Sequence, residues 1–397
     1  MTATAIGTPA RLLGAAAPDL AAHRQRNGAL PRPAPGQLIR LAEQSGLTGR
    51  GGASFPTWRK LAAVATGPPG VVVANGAEGE PASAKDRTLL ARAPHLVLDG
   101  LQLVAEAVRA ERAYIYTRAA SVGHALAERR AAGWDHTRVE VVEAPDGFVT
   151  GEETAVVAAI EGRPALPRDK ARRIIEAGVK GRPTLVQNVE TLAHLALIAR
   201  HGPAWFRGRG TPDEPGTFLA SVSGAVTVPG VYEIGYGLPA SELVRLAGGP
   251  SEPVRAILIG GYHGAWLPAG LDHLPLSRAG LRPVGGSPGA GVVLVLPATR
   301  CGLVESARII GCLAGQSAGQ CGPCVNGLPR LADTFGRLAR RERQPGLPAE
   351  VARLAAVVEG RGACRHPDGT VRLVRSSLDV FADEVALHLA GRCGVTG

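Results

Sequence analysis

Aromatic residues are scarce in this sequence: Phe, Trp and Tyr together fill 4% of its 397 positions. That scarcity removes the stacking platforms on which single-stranded nucleic acid is held. Lysine is nearly absent as well. Of 44 basic residues only Lys60, Lys85, Lys170 and Lys180 are lysines. The arginines are scattered and form no basic run, which excludes a nucleic-acid partner despite the net charge of +10. An anionic cofactor or an acidic protein partner suits that charge better. No apolar stretch approaches the ~20 residues needed to span a bilayer. Arg11, Asp19 and Arg24 interrupt the Ala-rich start, so no signal peptide is expected. The expectation is a cytoplasmic protein with no direct membrane insertion, reaching the inner face of a membrane only through a partner. None of the six cysteines precedes Cys301, and the last is Cys393. A disulfide framework would spread over a small secreted chain, so this clustering favours a metal site in a reducing compartment.

Length and composition leave room for two or three domains, with 45% hydrophobic and 20% charged residues as in ordinary globular proteins. Residues 1–36 end in a Pro-rich stretch and read as an arm or linker. From 37 to 212 the pattern alternates. A helix is expected from Gln37 to about Gln44, then strands at Val71–Ala74, Ala113–Thr117 and Val139–Val142. Helices are expected between and after them, at Leu96–Arg109, Ser121–Arg130 and Glu152–Glu161. That order predicts an open, largely parallel, Rossmann-like α/β sheet, which binds ligands at the carboxyl ends of its strands. Residues 213–300 change character. Strands at Phe218–Val222, Gly230–Ile234 and Ala256–Ile259 with a helix at Ala240–Leu246 predict a small α+β domain of the β-grasp kind. Residues 301–397 read as a helical bundle broken at Pro345 and around Cys364.

Five segments carry the chemistry. Gly49-Arg50-Gly51-Gly52-Ala53-Ser54-Phe55-Pro56-Thr57 is a loop whose glycines let backbone N–H groups approach a phosphate. No Gly-Lys-Ser/Thr follows, so it is not a Walker loop. Taken singly it is equally a tight turn. Asn75-Gly76-Ala77-Glu78-Gly79-Glu80-Pro81 follows directly on a buried strand, where an amide and two carboxylates can meet a polar ring or ribose. Gly151-Glu152-Glu153-Thr154 opens a helix, and acids there also serve the helix dipole. Asn188-Val189-Glu190-Thr191 opens another, with Asn188 a natural cap. Cys321-Gly322-Pro323-Cys324, with Cys364 further on, has metal-ligand spacing.

In this order the segments resemble one family, over about residues 37–393: the flavin-bearing, NADH-oxidising F subunit of respiratory complex I. Related modules occur in hydrogenases and formate dehydrogenases linked to NAD. The glycine loop matches the family's Gly-Arg-Gly-Gly-Ala-Gly-Phe-Pro-Thr except at Ser54. Lys85-Asp86-Arg87 matches the Lys-Asp-Arg that follows the family's acidic loop. The Gly-Glu-Glu-Thr and Asn-Val-Glu-Thr segments are unchanged.

The resemblance implies an FMN-dependent NADH dehydrogenase (diaphorase) that passes electrons from NAD(P)H through FMN and an iron–sulfur cluster to a redox protein partner. That partner would be a ferredoxin-like subunit or a membrane reductase within a hetero-oligomer. It implies that Gly49, Arg50, Gly51, Gly52 and Lys60 hold the FMN phosphate and ribityl groups. Asn75, Glu78, Gly151, Glu152 and Asn188 would line the flavin. Phe55, Glu80, Glu153 and Lys170 match NADH-contacting positions, with Glu80 and Glu153 as the catalytic pair. Cys321, Cys324 and Cys364 would ligate the cluster.

The sequence also departs from that family. Ala318 stands where the family has its first cluster cysteine. A [4Fe–4S] cluster with a substitute ligand, a [3Fe–4S] cluster and no cluster all remain open, and zinc is a further occupant. Cys312 is a candidate substitute; Cys301 and Cys393 read as lying outside the cluster. Ala77, Ala84 and Arg173 replace an acid and two aromatics, and Arg173 would suit the extra phosphate of NADPH. These changes keep an alternative open, a flavo-iron–sulfur electron carrier that no longer oxidises NADH.

Overall fold

The computed structural model describes residues 10–169 and 171–395. Lys170 therefore lies outside the described residues. Four parallel strands form the first sheet: β1 (Val71–Asn75), β2 (Arg112–Tyr116), β3 (Val139–Val142) and β4 (Thr184–Asn188), in spatial order β3-β2-β1-β4. Both faces of β1 are apolar because both are covered, as parallel sheets require. Val72 and Ala74 pack with Leu61, Leu98, Leu101 and Leu192 from helices on one side. Val71 and Val73 pack with Val156, Val157 and Ile174 on the other. The chain runs outward from β1 through β2 to β3, then returns across β1 to lay down β4. That reversal makes the β1/β4 junction the switch point where such sheets bind ligands. Asn75 and Asn188 stand opposite one another there, each the last residue of its strand.

Helices Pro94–Ala107 and Val189–Arg207 cross very closely behind that junction. A Cβ on Gly100 would lie 2.0 Å from the Leu192 carbonyl oxygen, so only glycine fits. The stretch read as an arm is docked from Leu12 to Asn27. Leu12, Leu13 and Leu20 are buried, and a helix spans Leu20–Asn27. His23 Nε2 donates to Asp99 Oδ2 at 2.8 Å, and Arg129 pairs with Asp99 Oδ1 at 2.9 Å. The amides of Leu12 and Leu13 donate to Glu233 of the second domain at 2.9 and 3.4 Å.

The second sheet is mixed. It contains β5 (Thr217–Gly224), β6 (Gly230–Gly235), β7 (Val254–Ile259), β8 (Ala265–Pro268) and β9 (Val292–Pro297) in order β6-β5-β9-β7-β8. Only β5 and β9 run parallel, and helix Ala240–Leu246 covers one face, the β-grasp arrangement. Strand β7 alternates cleanly. Ile257 and Ile259 face that helix's core, while Ala256 and Leu258 face the C-terminal helices. Those helices are Gly302–Gly315, Leu328–Ala339, Leu347–Val358, His366–Val380 and Ala382–Leu389. Trp266 of β8 is buried in their core, its indole N–H donating to Ser306 Oγ at 2.9 Å. Among the described residues, no helix is long and apolar enough to cross a membrane.

Candidate functional site

The crevice at the ends of β1 and β4 is built on a buried polar floor. Lys85, 3% exposed, donates from Nζ to Asp86 Oδ1 (2.7 Å), Glu190 Oε2 (2.9 Å) and Asn188 Oδ1 (3.3 Å). Asn188 Nδ2 donates to Asp86 Oδ2 at 2.7 Å, and Asn188 Oδ1 caps its helix through the Glu190 amide. Burial alone would raise the Glu190 carboxyl, but the Lys85 ammonium and His194 outweigh it and hold it at about 2. Burial lifts Asp86 to about 6 against the pull of Lys85. Lys85, Asp86 and Glu190 were not expected at this site. Their signal was the Lys-Asp-Arg and Asn-Val-Glu motifs themselves.

Asn75 reaches across the crevice, donating from Nδ2 to the Gly151 carbonyl at 2.9 Å and accepting from the Ala77 amide at 3.1 Å. Gly151 stays close to the acidic loop; a Cβ there would meet the Ala77 oxygen at 3.4 Å. Glu152 is the N-cap of helix Glu153–Ile160, its Oε2 accepting from the Thr154 and Ala155 amides at 2.8 and 3.3 Å. Glu153 pairs with Lys60 at 3.4 Å, with both side chains about a third exposed. Glu78 accepts from Ser83 Oγ at 2.5 Å and from the Asp86 amide at 3.1 Å, so it caps helix Lys85–Arg92.

The glycine loop forms the rim. Gly49 closes it by donating to the Phe55 carbonyl at 2.8 Å, and the Arg50 amide ties it to Thr191 Oγ1 at 2.9 Å. The Arg50 side chain is buried. It donates to Thr48 and to the Pro215 carbonyl, and its guanidinium lies 4.7 Å from the Tyr236 ring centre. It therefore anchors the loop to the second domain. The amides of Gly51 and Gly52 have no acceptor among the described residues. A Cβ on Gly51 would sit 3.5 Å from that of Asn188, which places the loop over the end of β4. Ser54, where the resembling family has glycine, takes a left-handed φ of 50°. Phe55 is 46% exposed at this rim. Arg173 is exposed at the start of the short helix Ile174–Ala177.

Glu80 leaves the crevice for the seam with the second domain. Its Oε2 accepts from the Tyr262 amide at 2.9 Å, and burial pushes its carboxyl up to about 7. At the same seam three rings cluster beside the loop that carries Cys364. Phe148, three residues before Gly151, lies 4.6 Å from the His263 ring and 5.4 Å from that of His366. His263 Nε2 and His366 Nδ1 are 3.1 Å apart, and His366 Nε2 donates to the Leu313 carbonyl at 2.8 Å. His366 follows Cys364 by two residues.

Cys324 is buried inside the π-helical turn Pro323–Gly327. Burial alone would raise the Cys321 thiol, but the Ala363 and Cys324 amides and the Cys324 thiol pull it below its ordinary value. The Gly319 amide points at Cys324, and Cys364 is close enough to perturb it. The CxxC turn, the Ala318 loop and the Cys364 loop thus meet. Cys312 sits within helix Gly302–Gly315, partly buried against the bundle core beside Tyr262.

The donor set fits an FMN phosphate at the Gly51 and Gly52 amides with Lys60. It fits a polar flavin ring against Asn75, Gly151 and Asn188, and an iron–sulfur cluster at the thiols. Comparison with known proteins agrees. Residues 42–197 match the family described as the Nuo51 FMN-binding domain. Residues 305–388 match that described as the NADH-ubiquinone oxidoreductase-F iron-sulfur binding region. The F 2 subunit of NADH-quinone oxidoreductase in Rhizobium meliloti is 33% identical over 390 residues, covering 93% of each chain. The F subunit of NADH-quinone oxidoreductase in Mycobacterium bovis is 33% identical, over 90% of this chain and 85% of its own. The NAD+-reducing [NiFe]-hydrogenase in its H2-reduced state superposes with a TM-score of 0.84 at 30% identity, over 90% of this chain. This chain spans 63% of the length of that hydrogenase chain. On sequence, fold and donor set alike, the chain belongs to the family of NADH-quinone oxidoreductase F subunits.

Proposed function

We propose that this chain is the FMN- and iron–sulfur-bearing NAD(P)H dehydrogenase module of a cytoplasmic hetero-oligomeric redox assembly, handing electrons to a redox protein partner. The observation that carries the reading is the junction of β1 and β4. There the Gly51 and Gly52 amides, which have no acceptor among the described residues, face the same strand ends as the paired Asn75 and Asn188. When bound, FMN supplies uptake of an electron pair with a hydride and release of single electrons, and a cluster supplies the one-electron relay.

The chain's own residues provide placement. Gly51 and Gly52 offer amides to the phosphate, and Lys60 adds a positive charge, steadied by Glu153. Asn75, Gly151 and Asn188 present amide and carbonyl groups to the ring edge. The Lys85 network beneath fixes the Asn188 rotamer. Phe55 offers an exposed aromatic face to the nucleotide base. Glu80, half-buried with a carboxyl near neutrality, can hold or release a proton at Oε2 within the seam. The family relatives are oxidoreductase subunits, which favours an enzyme over a carrier that has lost NADH oxidation. The test is an anaerobic titration of the flavin-loaded chain with NADH and NADPH, followed by absorption and EPR. Bleaching of the flavin with a reduced-cluster signal is expected. A flavin that neither nucleotide bleaches overturns the reading.

A further inference from the structure

Outside the cluster loops, one group of side chains gathers at single-ion distance among the described residues. Cys301 Sγ, His388 Nε2 and Cys393 Sγ all lie within 4.8 Å of one another. None belongs to the CxxC turn or to Cys364. Cys301 precedes helix Gly302–Gly315, His388 lies in the last turn of helix Ala382–Leu389, and Cys393 follows in the tail. From this gathering we infer a second metal site, a zinc site of two thiolates and one imidazole that clasps the two ends of the helical domain.

The geometry is that of a tetrahedral ion. Zinc bonds of about 2.3 Å to sulfur and about 2.0 Å to nitrogen put neighbouring S and N ligands about 3.5 Å apart. Cys301 Sγ and His388 Nε2 are 3.4 Å apart. The imidazole is already oriented. His388 is fully buried, and its Nδ1 donates to the Leu338 carbonyl at 3.1 Å. That hydrogen bond fixes the proton on Nδ1 and leaves the Nε2 lone pair facing the two sulfurs, the usual outer support of a zinc histidine. The charges also balance. Two thiolates neutralise Zn2+, the imidazole is neutral, and the nearby Glu384 is compensated by its own partner, Arg255 of β7. Binding converts two thiols to thiolates and releases two protons to solvent. The fourth position falls to a water. Glu384 Oε2, 2.9 Å from Cys301 Sγ, is placed to accept that water's hydrogen bond. Two soft sulfurs with an imidazole select zinc over magnesium or calcium.

The site joins the N-cap of the first C-terminal helix, Gly302–Gly315, to the tail after the last, Ala382–Leu389, and Glu384 extends it to β7. It therefore holds the helical domain closed and seated on the second sheet. The experiment uses the full chain with FMN and cluster loaded, purified anaerobically in the presence of zinc. Zinc, iron and FMN are measured per chain, and zinc X-ray absorption reads the ligands. The expectation is stoichiometric zinc with two sulfurs at about 2.3 Å and one imidazole. Cys393→Ser, in the half-buried tail, should lower zinc affinity at least about tenfold while FMN and iron stay unchanged. Cys321→Ser with Cys324→Ser should do the reverse, losing iron and keeping zinc. A wild-type chain that takes up no zinc overturns the proposal. So does zinc that survives Cys393→Ser, or a Cys301–Cys393 disulfide found by mass spectrometry in the anaerobic protein.

Discussion

Replacing Lys85 with methionine probes the floor of the crevice without touching its rim. The substitution keeps the aliphatic volume but removes the one cation between Asp86 and Glu190. Both carboxylates are buried, at 3% and 1% exposure. Breaking a buried ion pair from one side costs about 3–5 kcal/mol, because the remaining charge has no solvent to turn to. At about 2–4 °C per kcal/mol, the first domain should melt about 6–20 °C lower. The sign with pH is fixed by Glu190. In the native chain its carboxyl is held down to about 2, so its pairing contributes fully above the ordinary carboxylate value of 4.5 and is lost as pH falls through 2. Without Lys85 burial dominates and the carboxyl protonates readily. The deficit of Lys85→Met should then be larger at pH 7 than at pH 5. Urea denaturation at both pH values reads it directly. Lys85→Met combined with Asp86→Asn and Glu190→Gln should recover most of the loss, since no charge is left uncompensated. A deficit below about 1 kcal/mol at pH 7, or a triple variant no better than the single one, would refute the view of this network as a charge-balanced floor.

Glu80 behaves oppositely. Its folded-state value, raised from 4.5 to about 7, means that native stability declines as pH rises through that window and is level above it. Glu80→Gln should abolish a decline of about 3 kcal/mol, most of it visible in melting temperature between pH 5 and 7, and an unchanged slope would exclude Glu80 as its source. Ser54→Gly should relieve a left-handed residue worth about 1–2 kcal/mol, offset by about 0.5–1 kcal/mol of added chain entropy. A net gain of about 0.5–1 kcal/mol in denaturant midpoints is expected, and a loss would show that Ser54 is not strained. Ala318→Cys should raise iron per chain and make the cluster signal more resistant to air. No change in iron content would show that three thiols already suffice.

The first sheet was legible where its strands are continuous apolar runs, as at Val71–Ala74. Its fourth strand was not. Thr184, Gln187 and Asn188 interrupt the pattern, and β4 owes its place to parallel pairing with β1, more than a hundred residues earlier. Strand β9 was missed for a different reason. Val292–Pro297 is an unbroken apolar run, which periodicity alone does not distinguish from a helix segment. The helix at Ser121 was legible, while the Ser121 hydroxyl, which donates to the Leu90 carbonyl at 3.0 Å, was not. Motif order disclosed the crevice, because its residues come in short dense segments at strand ends. It left the partners of Arg50 and Glu80 hidden, since both reach into another domain. Nor could spacing disclose Cys301, His388 and Cys393, which meet only because the helical domain folds back on its own beginning.

The cluster of Phe148, His263 and His366 draws one ring from each of the three structural units. Gly369 holds the contact tight, since a Cβ there would overlap the His263 ring at 2.3 Å. Such a contact is a property of the assembled chain and of no unit alone. A foreign helical domain grafted onto this chain would meet Phe148 and His263 but keep the contact only by supplying a ring in place of His366 and a glycine in place of Gly369. The helical domain of this chain is therefore exchangeable only for one that carries both features.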